Sequence, residues 1–227
     1  KILSDGNGVS VGDIVADRDG TDFLEGVEKF QFADRTIDLR TGGFTELAFT
    51  HASFAPSAGG WVSMDSYPRA FADVNGDGLT DIVGFGYAAT YVALGTGGGH
   101  GSFGSEFAAV ANFGSGPPGG SWVSDNVYPR ELGDIDGDGR ADIVAFGDAG
   151  VYLARGQGDG SFGPVSYLPI GFGAGAAGGH WLSEERYPRE LGDVNGDGAD
   201  DIVGFGGSGV FLALSNDDGT FGPTQFV

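Results

Sequence analysis

The chain is predicted to be all-β, and three observations predict it. From residue 44 onward, short runs rich in β-branched and aromatic residues recur between glycine-rich punctuation. No stretch sustains the 3.6-residue apolar period of an amphipathic helix. A block of about 60 residues appears three times: "WVSMDSYPRAFADVNGDGLTDIVGFG" from Trp61, "WVSDNVYPRELGDIDGDGRADIVAFG" from Trp122 and "WLSEERYPRELGDVNGDGADDIVGFG" from Trp181. The tryptophans lie 61 and then 59 residues apart, and self-similarity at such a period marks an array of equivalent units.

Each unit reads as four short strands. "PRELGDV" leads into an acidic loop, "DIVGFG" leaves it, "GVYLARG" follows a tight Asp-Ala-Gly or Gly-Ser-Gly turn, and "VSYLPIGF" comes last. "DIVGFG" is apolar on both faces, as an inner strand between two neighbouring sheets must be. Four antiparallel strands per unit of about 60 residues, repeated radially, predict the blades of a β-propeller. A β-solenoid is the alternative, but its coils are shorter.

Three blades are fewer than the ~4–8 of closed propellers. The last repeat is cut short at "FGPTQFV", Phe221 to Val227, while Phe44 to Gly60 supplies an outgoing strand with no blade before it. Ends out of phase in this way are how propellers close, so the ring is expected to be completed by a second copy, as a homodimer, or by further blades. Residues 1–43 lie outside the repeats and are expected to form a β cap, with residues 44–227 as the propeller array. In "DRDGTDFLEGVEKFQFADRTIDL", Val27, Phe30, Phe32 and Ile37 alternate with polar residues, which predicts one or two strands. This segment resembles sequences that flank hemolysin-type (RTX) regions of secreted bacterial proteins.

Composition bounds the partners. Lys and Arg number 11 against 32 Asp and Glu, a formal charge of −21. Nucleic acid and anionic membrane surfaces are disfavoured by that balance, since both bind through cationic side chains. Calcium is the natural counter-ion. With no cysteine the fold is not held by disulfides, and no run of ~18 apolar residues predicts membrane insertion. The chain starts at Lys1 without a signal peptide, so it is read as a mature or excised piece of something longer. Glycine and proline, 46 and 9 of 227 residues, would suggest disorder if they lacked a period. Here they recur in register with the aromatics.

The acidic loops carry the most specific chemistry. "DVNGDGLTD", "DIDGDGRAD" and "DVNGDGADD" place oxygen-bearing side chains at positions 1, 3, 5 and 9 of a nine-residue window, with glycine at position 6. Calcium takes ~6–8 hard oxygen ligands, and a short loop supplies them by spacing carboxylates two apart around a sharp turn. The expected ligands are Asp73, Asn75, Asp77 and Asp81 with the Leu79 carbonyl; Asp134, Asp136, Asp138 and Asp142 with the Arg140 carbonyl; and Asp193, Asn195, Asp197 and Asp201 with the Ala199 carbonyl. Three Ca2+ sites follow, the second with an extra carboxylate. A plain acidic surface turn is the bland alternative; identical spacing in three copies argues against it.

These loops, followed by "DIVGFG", resemble the FG-GAP/VCBS repeat of integrin-α-type propellers. With the "W…YPRELGD" lead, they resemble the fungal and bacterial propeller lectins related to Psathyrella velutina lectin. The resemblance spans residues 44–227 and implies calcium-binding blades with sugar pockets between neighbours. Trp61, Trp122 and Trp181 are followed by Tyr67, Tyr128 and Tyr187 and by Arg69, Arg130 and Arg189. An aromatic face with a few polar groups suits a sugar. Alternatively, the tryptophans pack between blades and the arginines pair with acidic neighbours such as Glu131 or Glu190.

His51, His100 and His180 occupy non-equivalent positions; only His180, beside Trp181, is a candidate to line a pocket. No Ser-His-Asp pattern or phosphate loop occurs, and the clustered carboxylates that a glycosidase would need are assigned to calcium. The expected function is therefore a secreted or cell-surface, non-enzymatic calcium-binding propeller that binds glycans, of lectin or adhesin type. The alternatives are a purely structural propeller region of a large RTX-type protein and a carbohydrate-active enzyme.

Overall fold

The computed structural model describes residues 53–97, 102–216 and 218–227, together with the backbone of five N-terminal strands. The chain divides into two compact units, Lys1–Phe49 and Thr50–Val227. In the first, β1 (Ile2–Ser4), β2 (Val9–Gly12) and β3 (Thr21–Leu24) form an antiparallel sheet in that order. β4 (Lys29–Gln31) and β5 (Thr36–Asp38) form a hairpin with Phe30 opposite Ile37, so that with β3 the stretch from Asp17 to Leu39 holds three strands where one or two were expected. The outgoing strand expected near Phe44 falls outside the described residues up to position 52.

The second unit holds three four-stranded antiparallel sheets, each with its strands in sequence order. The first comprises β6 (Arg69–Ala72), β7 (Asp81–Phe85), β8 (Thr90–Ala93) and β9 (Phe107–Val110). The second comprises β10 (Arg130–Gly133), β11 (Asp142–Phe146), β12 (Val151–Ala154) and β13 (Ser166–Leu168). The third comprises β14 (Arg189–Gly192), β15 (Asp201–Gly206), β16 (Gly209–Ala213) and β17 (Gln225–Phe226). All four predicted strands per repeat are present. The third sheet is not a strand short: Phe226 pairs with Phe211 and Gln225 with Leu212, so the expected incomplete end is in fact a short fourth strand. Helical structure among the described residues is limited to single turns at Pro117–Gly119 and Ala176–Gly178. No helix among them is long and apolar enough to cross a membrane.

Apolar surface is buried between consecutive sheets. Val83, Phe85 and Val92 of the first pack with Ile143 and Ala145 of the second. Val144, Phe146 and Leu153 on the other side of the second pack with Ile202 and Ala213 of the third. Every residue of β11 is buried, because among the described residues it alone of the three "DIV" strands has a sheet on each side. Each fully buried Phe or Ile here stabilises by roughly 1.5–3 kcal/mol. β10 contacts both β6 and β14, so the second sheet is flanked on both sides and the three-sheet array remains open rather than closing on itself.

Polar links repeat at each junction. The Asp73 carbonyl accepts from Ala141 N–H at 2.8 Å, and the Asp134 carbonyl from Asp200 N–H at 2.7 Å. The Asp65 carbonyl accepts from Asp125 N–H at 2.7 Å, and the Asn126 carbonyl from Glu184 N–H. The Asp65 carboxylate further accepts from Ser124 Oγ at 2.8 Å and Asn126 N–H at 3.0 Å.

Candidate functional site

The three acidic loops share one main-chain conformation, set by two glycines each. Gly76 and Gly78 have φ of 78° and 81°, Gly137 and Gly139 of 71° and 83°, and Gly196 and Gly198 of 82° and 95°. This left-handed region is costly for residues with a Cβ. The glycine at position 6 was expected from the turn; the one at position 4 has the same cause. The position-1 carboxylate turns inward on the loop: Asp73 accepts from Gly76 and Gly78 N–H, and Asp193 likewise from Gly196 and Gly198.

Position 9 is different in kind. Asp81, Asp142 and Asp201 are wholly buried. Asp142 accepts from Ile135 and Gly156 N–H at 3.2 and 2.8 Å, and Asp81 and Asp201 repeat the arrangement. This carboxylate pins the start of the loop to the link after the third strand. Burial outweighs its two hydrogen bonds and pushes Asp142 up to about 7.

In the second loop, carboxylate oxygens of Asp134, Asp136 and Asp138 lie within 4.8 Å of one another, and Asp142 is not part of that group. Asp136 Oδ1 is buried and accepts no hydrogen bond. A hard cation fits this donor set: converging carboxylates with an unsatisfied oxygen among them. Two cations of the protein already stand nearby, Arg155 at 3.8 Å from Asp136 and Arg140 paired with Asp138. In the first and third loops the neutral amides replace this repulsion with a bond: Asn75 Nδ2 donates to Asp77 at 3.0 Å and Asn195 Nδ2 to Asp197 at 2.7 Å.

Each repeat also builds a cavity over its tryptophan. Trp122, Tyr128, Ser121, Asp148, Tyr152 and Tyr167 line one of about 560 Å³. Trp61, Tyr67, Tyr87, Tyr91 and Glu106 line one of about 400 Å³. His180, Trp181, Tyr187, Phe211 and Thr224 line a third of about 560 Å³. The tryptophans form buried floors, exposed by only 5–7%. Trp122 lies tilted on Phe113 at 5.5 Å and edge-on to Tyr128 and Tyr152 at 6.3 and 5.4 Å. Its Nε1 donates to Asn112 Oδ1 at 3.2 Å, and that of Trp181 to the Gly171 carbonyl at 2.8 Å. The exposed rings are tyrosines: Tyr87 at 57% and Tyr167 at 44%.

Close approach shapes the floor. A Cβ at Gly84 would lie 2.6 Å from Trp61 Cη2, and one at Gly204 2.5 Å from Trp181 Cη2. The residue before each tryptophan is left-handed: Gly60, Ser121 and His180 have φ of 75°, 65° and 64°. For serine and histidine that conformation is uncommon, and such strain concentrates at functional sites.

Of the residues singled out for sugar contact, the structure brings the tryptophans, the tyrosines and His180 to the cavities. Arg69, Arg130 and Arg189 line none of the three. Arg130 and Arg189 serve the joints instead, while Arg69 donates to the Phe54 and Trp61 carbonyls of its own repeat. Arg130 lies 5.3 Å over the Phe85 ring, pairs with Asp125 at 3.1 Å and donates to the Phe113 carbonyl. The aromatics on the third strand (Tyr91, Tyr152, Phe211) and the phenylalanines under the tryptophans were not read from sequence. The third-strand aromatics recur 30 residues after each tryptophan, and a phenylalanine recurs seven or nine residues before it; that recurrence was the available signal.

Residues 134–182 match the model of the FG-GAP-like repeat family. The chain is similar in structure to a lectin of Agrocybe aegerita, solved for its specific recognition of non-reducing terminal N-acetylglucosamine. The TM-score is 0.52 at 25% identity, over 97% of this chain and 60% of the lectin. It is also similar to the TcdB2–TccC3 toxin complex lacking its hypervariable C-terminal region, with TM-score 0.50 and 16% identity over 85% of this chain and 7% of the toxin chain. The chain thus spans less than two thirds of either relative. No curated protein sequence matches it.

Proposed function

We propose that the second unit is a non-enzymatic, extracellular, calcium-binding propeller module that binds glycans in its tryptophan-floored cavities. The observation that carries this reading is recurrence. The same buried Trp, flanking Tyr and left-handed preceding residue build a cavity in all three repeats, whereas the exposed rim changes from one to the next. A floor repeated in all three blades under a varying polar rim suits a small-ligand site. Tyrosine rings at the rim offer the C–H-binding face; the tryptophans, enclosed by three other rings, give shape. The lectin's recognition of terminal N-acetylglucosamine supports sugars of that class.

Calcium belongs to the same proposal. Asp134, Asp136 and Asp138 would hold it in the second loop, and the Asp73–Asn75–Asp77 and Asp193–Asn195–Asp197 sets in the others. The buried position-9 aspartates fix each loop to its strands. Bound calcium would supply charge neutralisation, and extracellular modules hold it with dissociation constants of ~10⁻⁴–10⁻³ M, which supports an extracellular setting.

A glycan array in calcium tests the reading. Retention on N-acetylglucosamine-terminated glycans, weakened in Tyr167→Ala/Tyr87→Ala, which strips the exposed ring from two of the three cavities, supports it. An array with no retained glycan class sinks it.

A further inference from the structure

We infer that the outer face of the third sheet is a docking surface for the first sheet of a second copy of this chain, giving a six-bladed ring of two copies. The inference is independent of sugar binding. It rests on what the two internal junctions of the array do and what its two outer faces still offer.

At each internal junction the trailing face of one sheet is covered by the leading side of the next. Phe85 and Val74 of the first sheet and loop are wholly buried in this way, as are Phe146 and Ile135 of the second. The equivalent residues of the third, Phe205 and Val194, are 47% and 54% exposed. They are the same residue types in the same strand and loop positions, lacking only a following sheet among the described residues. The arginine that covers Phe85 is Arg130, and the one that covers Phe146 is Arg189. The remaining arginine of the series is Arg69, on the leading side of the first sheet. It is held in the same pose, Nη1 donating to the Phe54 carbonyl at 2.8 Å as Arg130 does to Phe113 at 3.0 Å and Arg189 to Phe172 at 3.1 Å. No aromatic ring lies beneath it among the described residues. Phe71, on that same strand, is 69% exposed where its counterparts Leu132 and Leu191 are half-buried against neighbours.

The hydrogen-bonding groups are complementary too. Internal junctions join the position-1 carbonyl of one loop to the position-8 N–H of the next, and the carbonyl of Asp65 or Asn126 to the N–H of Asp125 or Glu184. At the outer faces, among the described residues, the corresponding carbonyls, Asp193 and Glu185, accept no bond, and the corresponding N–H groups, Thr80 and Met64, donate none. A second copy placed as the next blades would pair Asp193 with Thr80, Glu185 with Met64 and Ser63, and Phe205 with Arg69. Two such contacts close a head-to-tail ring about a two-fold axis, and six blades lie within the ~4–8 of closed propellers.

Sedimentation velocity on the 227-residue chain in calcium tests this. The expected species has twice the 23.1 kDa chain mass, and Phe205→Arg, at an exposed position, returns it to monomer with an unchanged far-UV spectrum. A chain without cysteine makes a second readout clean. Ser63→Cys/Glu185→Cys should form a disulfide-linked dimer on oxidation, while neither single variant does. A monomer at every concentration overturns the inference, including one in which Phe205 is shielded by other residues of its own chain. So does a dimer indifferent to Phe205→Arg that yields no cross-link.

Discussion

The Arg189 guanidinium lies 5.2 Å over the ring of Phe146, a residue of the preceding blade, while its Nε bonds Glu184 at 3.1 Å. One side chain thus joins two sheets and neutralises a carboxylate that keeps a quarter of its exposure. Removing it leaves Glu184 without its partner and Phe146 uncovered. Arg189→Met should therefore destabilise by about 3 kcal/mol, the low end for breaking a buried pair. Urea unfolding would report it; a loss under about 1 kcal/mol would assign the joint to apolar contact alone.

Glu131 makes stability depend on pH. Burial first, then the carboxylates of Asp125, Glu190 and Glu184, push it up to about 7, with Arg189 opposing. Its folded value stands above its unfolded one, so the folded state binds the extra proton between about 4.5 and about 7. This group's contribution is favourable at the acid end of that window and is lost as pH rises through it. Glu131→Gln should gain stability over the parent progressively from pH 5 to pH 8. A constant difference across that range would contradict the assignment.

The spacing of the second loop, with its fourth carboxylate, suggests the tightest calcium site. The structure adds Arg155 beside Asp136 and Arg140 on Asp138, which offset that charge. Arg155→Ala should tighten calcium binding at this loop, and Asp136→Asn should weaken it. Site-resolved titration decides, and an unchanged affinity in Arg155→Ala would show the offset to be screened. Excess calcium over chelator should raise the melting temperature, each site adding ~2.7 kcal/mol at a hundredfold excess.

Trp122→Phe should cost ~1–3 kcal/mol in folding stability, since the indole is enclosed by Phe113, Tyr128 and Tyr152. Tyr167→Ala should leave the melt nearly unchanged, its ring being 44% exposed. Parallel thermal melts separate the two. Equal destabilisation would remove the distinction between floor and rim.

The repeat made the blades legible, since a strand pattern seen three times at one spacing has few alternatives. The loop glycine at position 6 was legible through its turn. Three features were not. Asp142 also accepts from two N–H donors of different segments; that enclosure depends on where the chain returns after the third strand. Tyr152 lies 30 residues after Trp122 and meets it only across the sheet. Arg130 and Arg189 suit a joint by sequence, but the pairing the sequence suggests is with an adjacent Glu, whereas the ring that claims each belongs to the neighbouring blade. Local patterns specify strands and turns; contacts between blades require the array itself.

The most direct test of glycan binding by these cavities is calorimetric titration of an N-acetylglucosamine-terminated oligosaccharide into the calcium-loaded chain. The expected result is saturable binding at more than one site per chain, with one site lost in Tyr128→Ala/Tyr167→Ala and the others retained. Absence of heat at millimolar sugar in a folded, calcium-responsive protein would contradict it, as would a stoichiometry untouched by that pair of substitutions.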